Sequence, residues 1–186
     1  MKHYSLSQTA RRACPWAGLL VAVAVILGGC QPKAPSLSPE ALAVKKALLG
    51  EMGKLTTALA EPMAQQDWEA VKPILQASHE EMKISGKVVE SYLVVMDRNG
   101  IVQDRFPPRK VEHFDFMNYE SVKIVFQEKR KAQALFYLGG TKIFVMIAPL
   151  LKNDKVIGAV AMGFPEEELQ RWKVPEKEFL SIDFNT

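Results

Sequence analysis

Cysteine is nearly absent from this chain: there are two, Cys14 and Cys30, in 186 residues. A disulfide framework and a multi-cysteine metal site are therefore excluded for the body of the protein. Histidine is almost as scarce, and beyond the first thirty residues only His79 and His113 occur. Two histidines so far apart make a weak metal site, and no Cys-x-x-Cys-His is present for covalent haem, so surface or capping roles are expected. No paired-carboxylate, Ser-His-Asp or phosphate-loop pattern stands out. The expectation is a non-enzyme with no catalytic residue, no metal and no cofactor. Acidic residues are missing altogether before Cys30, where Lys2, Arg11 and Arg12 account for the whole formal charge of +3. The remainder is electrically balanced, which leaves no footprint for nucleic acid or for an anionic membrane surface.

What is present begins with that basic start and the run "WAGLLVAVAVILGG", residues 16–29. It is shorter than the roughly 20 apolar residues that span a bilayer and fits the core of a signal peptide. Leu27, Gly28, Gly29 and Cys30 then match the bacterial lipobox, in which small residues precede a cysteine that becomes the lipidated first residue. This implies a signal peptide over 1–29 and a lipid anchor on Cys30 that holds the chain to a bilayer, facing the periplasm. Gln31 after the anchor slightly favours the outer membrane. The Arg11-Arg12 pair lacks the usual flanks of twin-arginine export.

Residues 30–36 form a tether with proline and serine. Ser38-Pro39-Glu40 is a helix start, and Val44, Leu48, Met52, Leu55 and Leu59 recur at helical spacing over 37–60. Asp67 can cap a second helix, which Pro73 would bend. "SYLVVMDRNGIVQDRFP" then reads as two strands around Asn99-Gly100, both of which tolerate positive φ. An aromatic stretch leads into a helix with Val122, Val125 and Phe126 on one side. Two further hairpins follow, through Gly139-Gly140 and "KND", and then a helix from Pro165 whose acids Glu166 to Glu168 read as a solvated start. The fold class is α+β: a central five-stranded antiparallel sheet with long N-terminal helices on one face. The domain is expected over 37–172, with 173–186 as a C-terminal tail. It is long enough for one core without staples.

The stretches "YLVVMDRNGIV", "NYESVKIVFQEKRKAQ" and "IAPLLKNDKVIGAVAMGF", in that order, resemble a single Cache sensor domain, the extracytoplasmic relative of the PAS fold. The resemblance implies a long N-terminal helix against one sheet face and a small-molecule pocket on the other. Such domains commonly sit between membrane helices and feed a signalling module. No run after Phe164 is long or apolar enough to cross a membrane, so the lipid is expected to replace the first membrane helix and the output to pass to a partner.

The residues agree on one physical point. Strands apolar on both faces need cover on both sides, and only the segment from Phe106 to Phe126 remains for the second face, which makes the space beneath it the candidate pocket. Arg105 beside it suits a carboxylate ligand, because its planar fork makes two charge-assisted hydrogen bonds. The plainer alternative is a solvent arginine on a strand edge. Tyr119 and Tyr137 are candidate hydroxyl donors, with Asp115 or Asn118 at the rim; both tyrosines would serve equally as core residues with polar tips. Phe114, Phe116, Phe144 and Met146 are candidate apolar walls. The function expected is a membrane-anchored periplasmic sensor lipoprotein that reports a small metabolite, such as a short carboxylate, to a membrane signalling partner. The alternative is an adaptor lipoprotein that uses the same fold for protein–protein contact without a ligand.

Overall fold

Ser38 opens the first helix by accepting the Ala41 amide at 3.1 Å, with Pro39 behind it in the first turn. This helix, α1, spans Pro39–Gln65 and ends where Gln66 turns left-handed. It runs past the expected end and through Pro62 because its apolar seam continues to Met63, which is buried; tertiary packing outweighs the one donor that proline removes. Asp67 caps α2, Trp68–Ile84, by accepting the Ala70 amide at 3.1 Å. The computed structural model describes residues 36–108 and 116–186. The signal peptide, Cys30, the tether as far as residue 35, His113, Phe114 and Asp115 lie outside the described residues.

Five strands follow: β1 Tyr92–Asp97, β2 Val102–Phe106, β3 Ala132–Leu138, β4 Thr141–Lys152 and β5 Lys155–Pro165. They form one antiparallel sheet in the order β2-β1-β5-β4-β3, as the sequence predicts in class and strand number. The β1–β2 turn differs in detail from its expectation. Only Gly100 has positive φ, and Asp97 does much of the shaping by accepting the Asn99 and Ile101 amides at 2.8 and 3.0 Å. In the β4–β5 turn it is Asn153 and Asp154 that adopt positive φ.

Helices α1 and α2 cover one face of the sheet, α1 across β4 and β5 and α2 across β1 and β2. Here Phe144, Met146, Val160, Met162 and Phe164 meet the seam of α1 in the larger core. The remaining helices are α3 Glu120–Glu128, α4 Glu166–Trp172 and α5 Glu176–Phe179. Residues 173–186, expected as a tail, belong to this same core: Val174, Phe179, Ile182 and Phe184 are all buried. The Phe179 ring meets Phe144 edge-on at 5.8 Å, and the compact unit extends over Leu37–Thr186.

Two polar expectations are corrected on this side. Glu168 is 1% exposed rather than solvated, accepting the Val89 and Glu90 amides at 3.0 and 2.8 Å with Arg171 at 3.3 Å. The helix start is thus acidic where it must clasp the loop into β1. His79, expected in a surface or capping role, is buried, with Nδ1 2.9 Å from the Ser91 hydroxyl and its ring 5.0 Å from Phe106. No helix among the described residues is long and apolar enough to cross a membrane.

Candidate functional site

The opposite face of the sheet carries the site, and strand alternation decides what points there. From β1 come Tyr92, Val94 and Met96; from β4, Ile143, Val145 and Ile147; from β5, Ala161 and Gly163. Phe116, Tyr119 and Val122, at the entry and first turn of α3, close over them. Between floor and roof is a cavity of about 140 Å³.

Small residues on β5 make the room. Ala159, Ala161 and Gly163 follow one another at period two on the cavity side, where the other face of the same strand carries Val160, Met162 and Phe164. A Cβ at Gly163 would stand 2.8 Å from Ile143 Cγ2, so glycine there lets β4 and β1 lean over the floor. The roof is aromatic: Phe136 of β3 meets Phe116 at 5.6 Å and Tyr119 at 4.8 Å, both edge-on.

Arg105 reaches the cavity through an irregularity in β2. Val95 pairs with Asp104 and the next residue, Met96, with Val102, so Gln103 is the extra residue of a bulge. Val102 and Arg105, an odd number of positions apart, would otherwise fall on opposite faces; the bulge puts both in the cavity lining. Arg105 is partly buried there. Asp104 has the opposite parity, like Phe106, which packs into the helix-side core. Its Oδ1 accepts the Arg105 amide at 2.7 Å, while buried Oδ2 finds no hydrogen-bond partner among the described residues. Behind the strand, burial of His79, with Lys83 a smaller cause, holds its imidazole below the ordinary pKa, against the opposite pull of Glu80. Among the described residues no three His, Cys, Asp or Glu side chains converge as a metal site.

No protein-family model matches this chain, and neither does any curated protein. Solved structures do. The ligand-binding domain of the Pseudomonas fluorescens chemoreceptor CtaA, in complex with L-isoleucine, superposes with a TM-score of 0.53 at 17% identity, covering 72% of this chain and 55% of that one. The ligand-binding domain of the Pseudomonas aeruginosa amino acid chemoreceptor PctC, in complex with GABA, gives 0.51 at 17% identity, covering 72% and 64%. An extracellular ligand binding receptor from Desulfohalobium retbaense gives 0.51 at 13%, covering 72% and 26%. This chain therefore spans only part of each of these structures. The fold is Cache-like and PAS-like.

Within this Cache-like fold the expected site residues separate. Arg105, Tyr119 and Phe116 come together at the cavity. Tyr137 borders it, but alternation with Phe136 and Leu138 directs its ring to the other face. It is 66% exposed there and pairs across the sheet with Lys142, which holds Glu176 of α5 at 2.9 Å. Phe144 and Met146 are core residues under the helices, and Ile143, Val145 and Ile147 are the walls instead. Asn118 is exposed and does not line the cavity. Unforeseen members include Tyr92, Val102, Phe136 and Ala161; the period-two run of small residues in "GAVAMG" was the signal that could have located the floor.

Proposed function

We propose that this chain is a sensor lipoprotein, anchored through Cys30 and facing the periplasm, that binds a small carboxylate and reports it to a membrane signalling partner. The observation that carries the reading is the cavity itself, about 140 Å³ on the sheet face away from the long helices, with a guanidinium in a lining that is otherwise mostly apolar. Most ligand sites are built in this way, as apolar concavities with a few placed polar groups. Domains of similar fold bind amino acids in two Pseudomonas chemoreceptors, which supports a small acid as the ligand and a receptor-type partner. The anchor rests on Leu27 to Cys30 in the sequence.

The test is thermal unfolding of the full chain in detergent against a panel of small carboxylates. A ligand at 100 times its Kd adds about 2.7 kcal/mol of stability and raises the midpoint visibly. Arg105→Ala should remove that rise by costing about 2–5 kcal/mol of binding, roughly 30-fold to several thousand-fold in Kd. Undiminished binding by this variant would remove the arginine from the site. Cys30→Ser should abolish incorporation of labelled fatty acid in cells, and label retained in that variant would sink the anchor.

A further inference from the structure

We infer that the outer edge of β3 is a self-pairing surface, where a second copy of this chain adds its own β3 antiparallel about a two-fold axis at Leu135. The two edges of the sheet are unlike. β2 carries the devices that keep edges apart: a bulge at Gln103, the charges of Asp104 and Arg105, and Pro107 and Pro108 just beyond. β3, "AQALFYL", has no charge, no proline and no break in its register with β4.

Which backbone groups of β3 face outward follows from Asn185. That side chain accepts the Lys131 amide at 2.8 Å and donates to the Lys131 carbonyl at 3.0 Å, so it stands where a neighbouring strand would place one rung. In an antiparallel strand the N–H and C=O of one residue point to the same side, and successive residues alternate. Lys131 faces outward, so Gln133, Leu135 and Tyr137 do too, while Ala132, Ala134, Phe136 and Leu138 bond to β4. The two-residue turn Gly139-Gly140, both at positive φ, agrees, because it closes Leu138 and Thr141 as a hydrogen-bonded pair. Among the described residues no strand pairs with the outward groups of Gln133, Leu135 and Tyr137.

The strand is complementary to itself. Near one end Tyr137 projects on the helix side, 66% exposed. At the other end an open groove lies beside Gln133, between Ser121 and Ile124 of α3 and Ser181 and Asp183 of the C-terminal segment. A two-fold axis at Leu135 sets Tyr137 of each copy opposite Gln133 of the other, so the exposed ring enters the groove. The Gln133 amide nitrogen donates to the Leu180 carbonyl at 2.9 Å, which leaves its amide oxygen to accept the tyrosine hydroxyl. On the cavity side the same axis sets large Phe136 opposite small Ala134. Pairing runs over 133–137 and stops where Asn185 holds Lys131 and the second copy turns away at Gly139.

Pairing over 133–137 alone buries less than the roughly 800 Å² per partner of a stable complex, so the contact is reversible and is best trapped covalently. Oxidative cross-linking of the full chain in detergent does this, with Cys14 and Cys30 changed to Ser so that an introduced cysteine is the sole thiol. Residue 135 lies on the axis, where opposed Cα atoms stand about 5.5 Å apart, within disulfide reach. Residue 137 lies about 14 Å from its own copy, outside that reach. Leu135→Cys should therefore dimerise at least about tenfold faster than Tyr137→Cys, although residue 137 is the more exposed. Tyr137→Pro deletes an outward N–H that β4 does not use, a change edge strands tolerate. Combined with Leu135→Cys, it should leave the unfolding midpoint nearly unchanged and slow cross-linking about tenfold. Cross-linking at residue 137 as fast as at 135 would mark random collision and overturn the inference. No dimer at residue 135, or an undiminished rate in the folded proline variant, would overturn it as well. Should Leu135→Cys fail to fold, mixed Gln133→Cys and Tyr137→Cys chains test the same register. The mixed dimer should then dominate both like dimers, and a statistical mixture would sink the pairing.

Discussion

The two faces of the sheet are made by alternate residues of the same strands, yet one is filled and the other is hollow. On β5 the helix side presents Val160, Met162 and Phe164, and the cavity side presents Ala159, Ala161 and Gly163. On β4, Phe144 and Met146 oppose Ile143, Val145 and Ile147 in the same way. Both faces are apolar, so polarity does not distinguish them. Side-chain volume does, and one added guanidinium gives the hollow face its direction. The lesson is that a cavity can be built by shrinking one parity of a central strand while the other parity carries the stability.

The contrast can be broken most forcefully at the two glycines of β5, which sit on opposite faces. A Cβ at Gly158 would stand 2.5 Å from the Met96 carbonyl oxygen and 2.6 Å from Met63 Cε under α1. Gly158→Ala should therefore cost about 1–3 kcal/mol, read by urea denaturation, because backbone cannot yield in a packed core. Gly163→Ala meets a side-chain methyl at 2.8 Å whose residue borders the cavity. Ile143 can give way into that space, so the stability loss should be smaller and the cavity should shrink. Equal losses at the two positions would show that the hollow face is as tightly packed as the other.

The smallest expected effect is confined to the filled face. Burial of His79 lowers its pKa from the ordinary 6.5. Between that pH and the lower folded value the unfolded chain binds more protons than the folded one. Stability is therefore full above about 6.5 and declines as pH falls through the folded pKa. Denaturation midpoints measured on either side of this window should differ in the parent chain, and His79→Gln should lessen the difference. A slope unchanged in the variant would assign the acid sensitivity to other groups.

The five strands and their three hairpins were readable because turn residues and apolar runs are local signals: Asn99-Gly100, Gly139-Gly140 and Asn153-Asp154 each mark a hairpin, whereas the long-range pairing of β1 with β5 that sets the strand order was not. The Ser38 and Asp67 caps were readable for the same reason. Face assignment was not. In "KIFVMIAPLL" every position from Ile143 to Ala148 is apolar, so period-two alternation carries no contrast, and Phe144 and Met146 fall on the side opposite to the one expected. Nor does any residue type announce the bulge at Gln103 that turns Arg105 into the lining. Buried Glu168 looks like any acid in a helix's first turn until the loop amides it accepts are brought up from residues 89 and 90. These are long-range facts, and local pattern does not encode them.

The last residues of the domain are stitched to its first. The Ser38 amide donates to Glu178, Lys45 Nζ donates to Thr186 Oγ1 at 3.0 Å, and Asn185 exchanges hydrogen bonds with the backbone of Lys131 at the start of β3. A ribosome must therefore deliver Phe184 before helix α1 has its full apolar cover. While the chain is being made, its leading helix waits with an uncovered seam. Closing a loop of this length is slow compared with forming the helix itself, so the nascent chain passes through a stage that is helical but unsealed. That is the stage at which a chaperone would meet it.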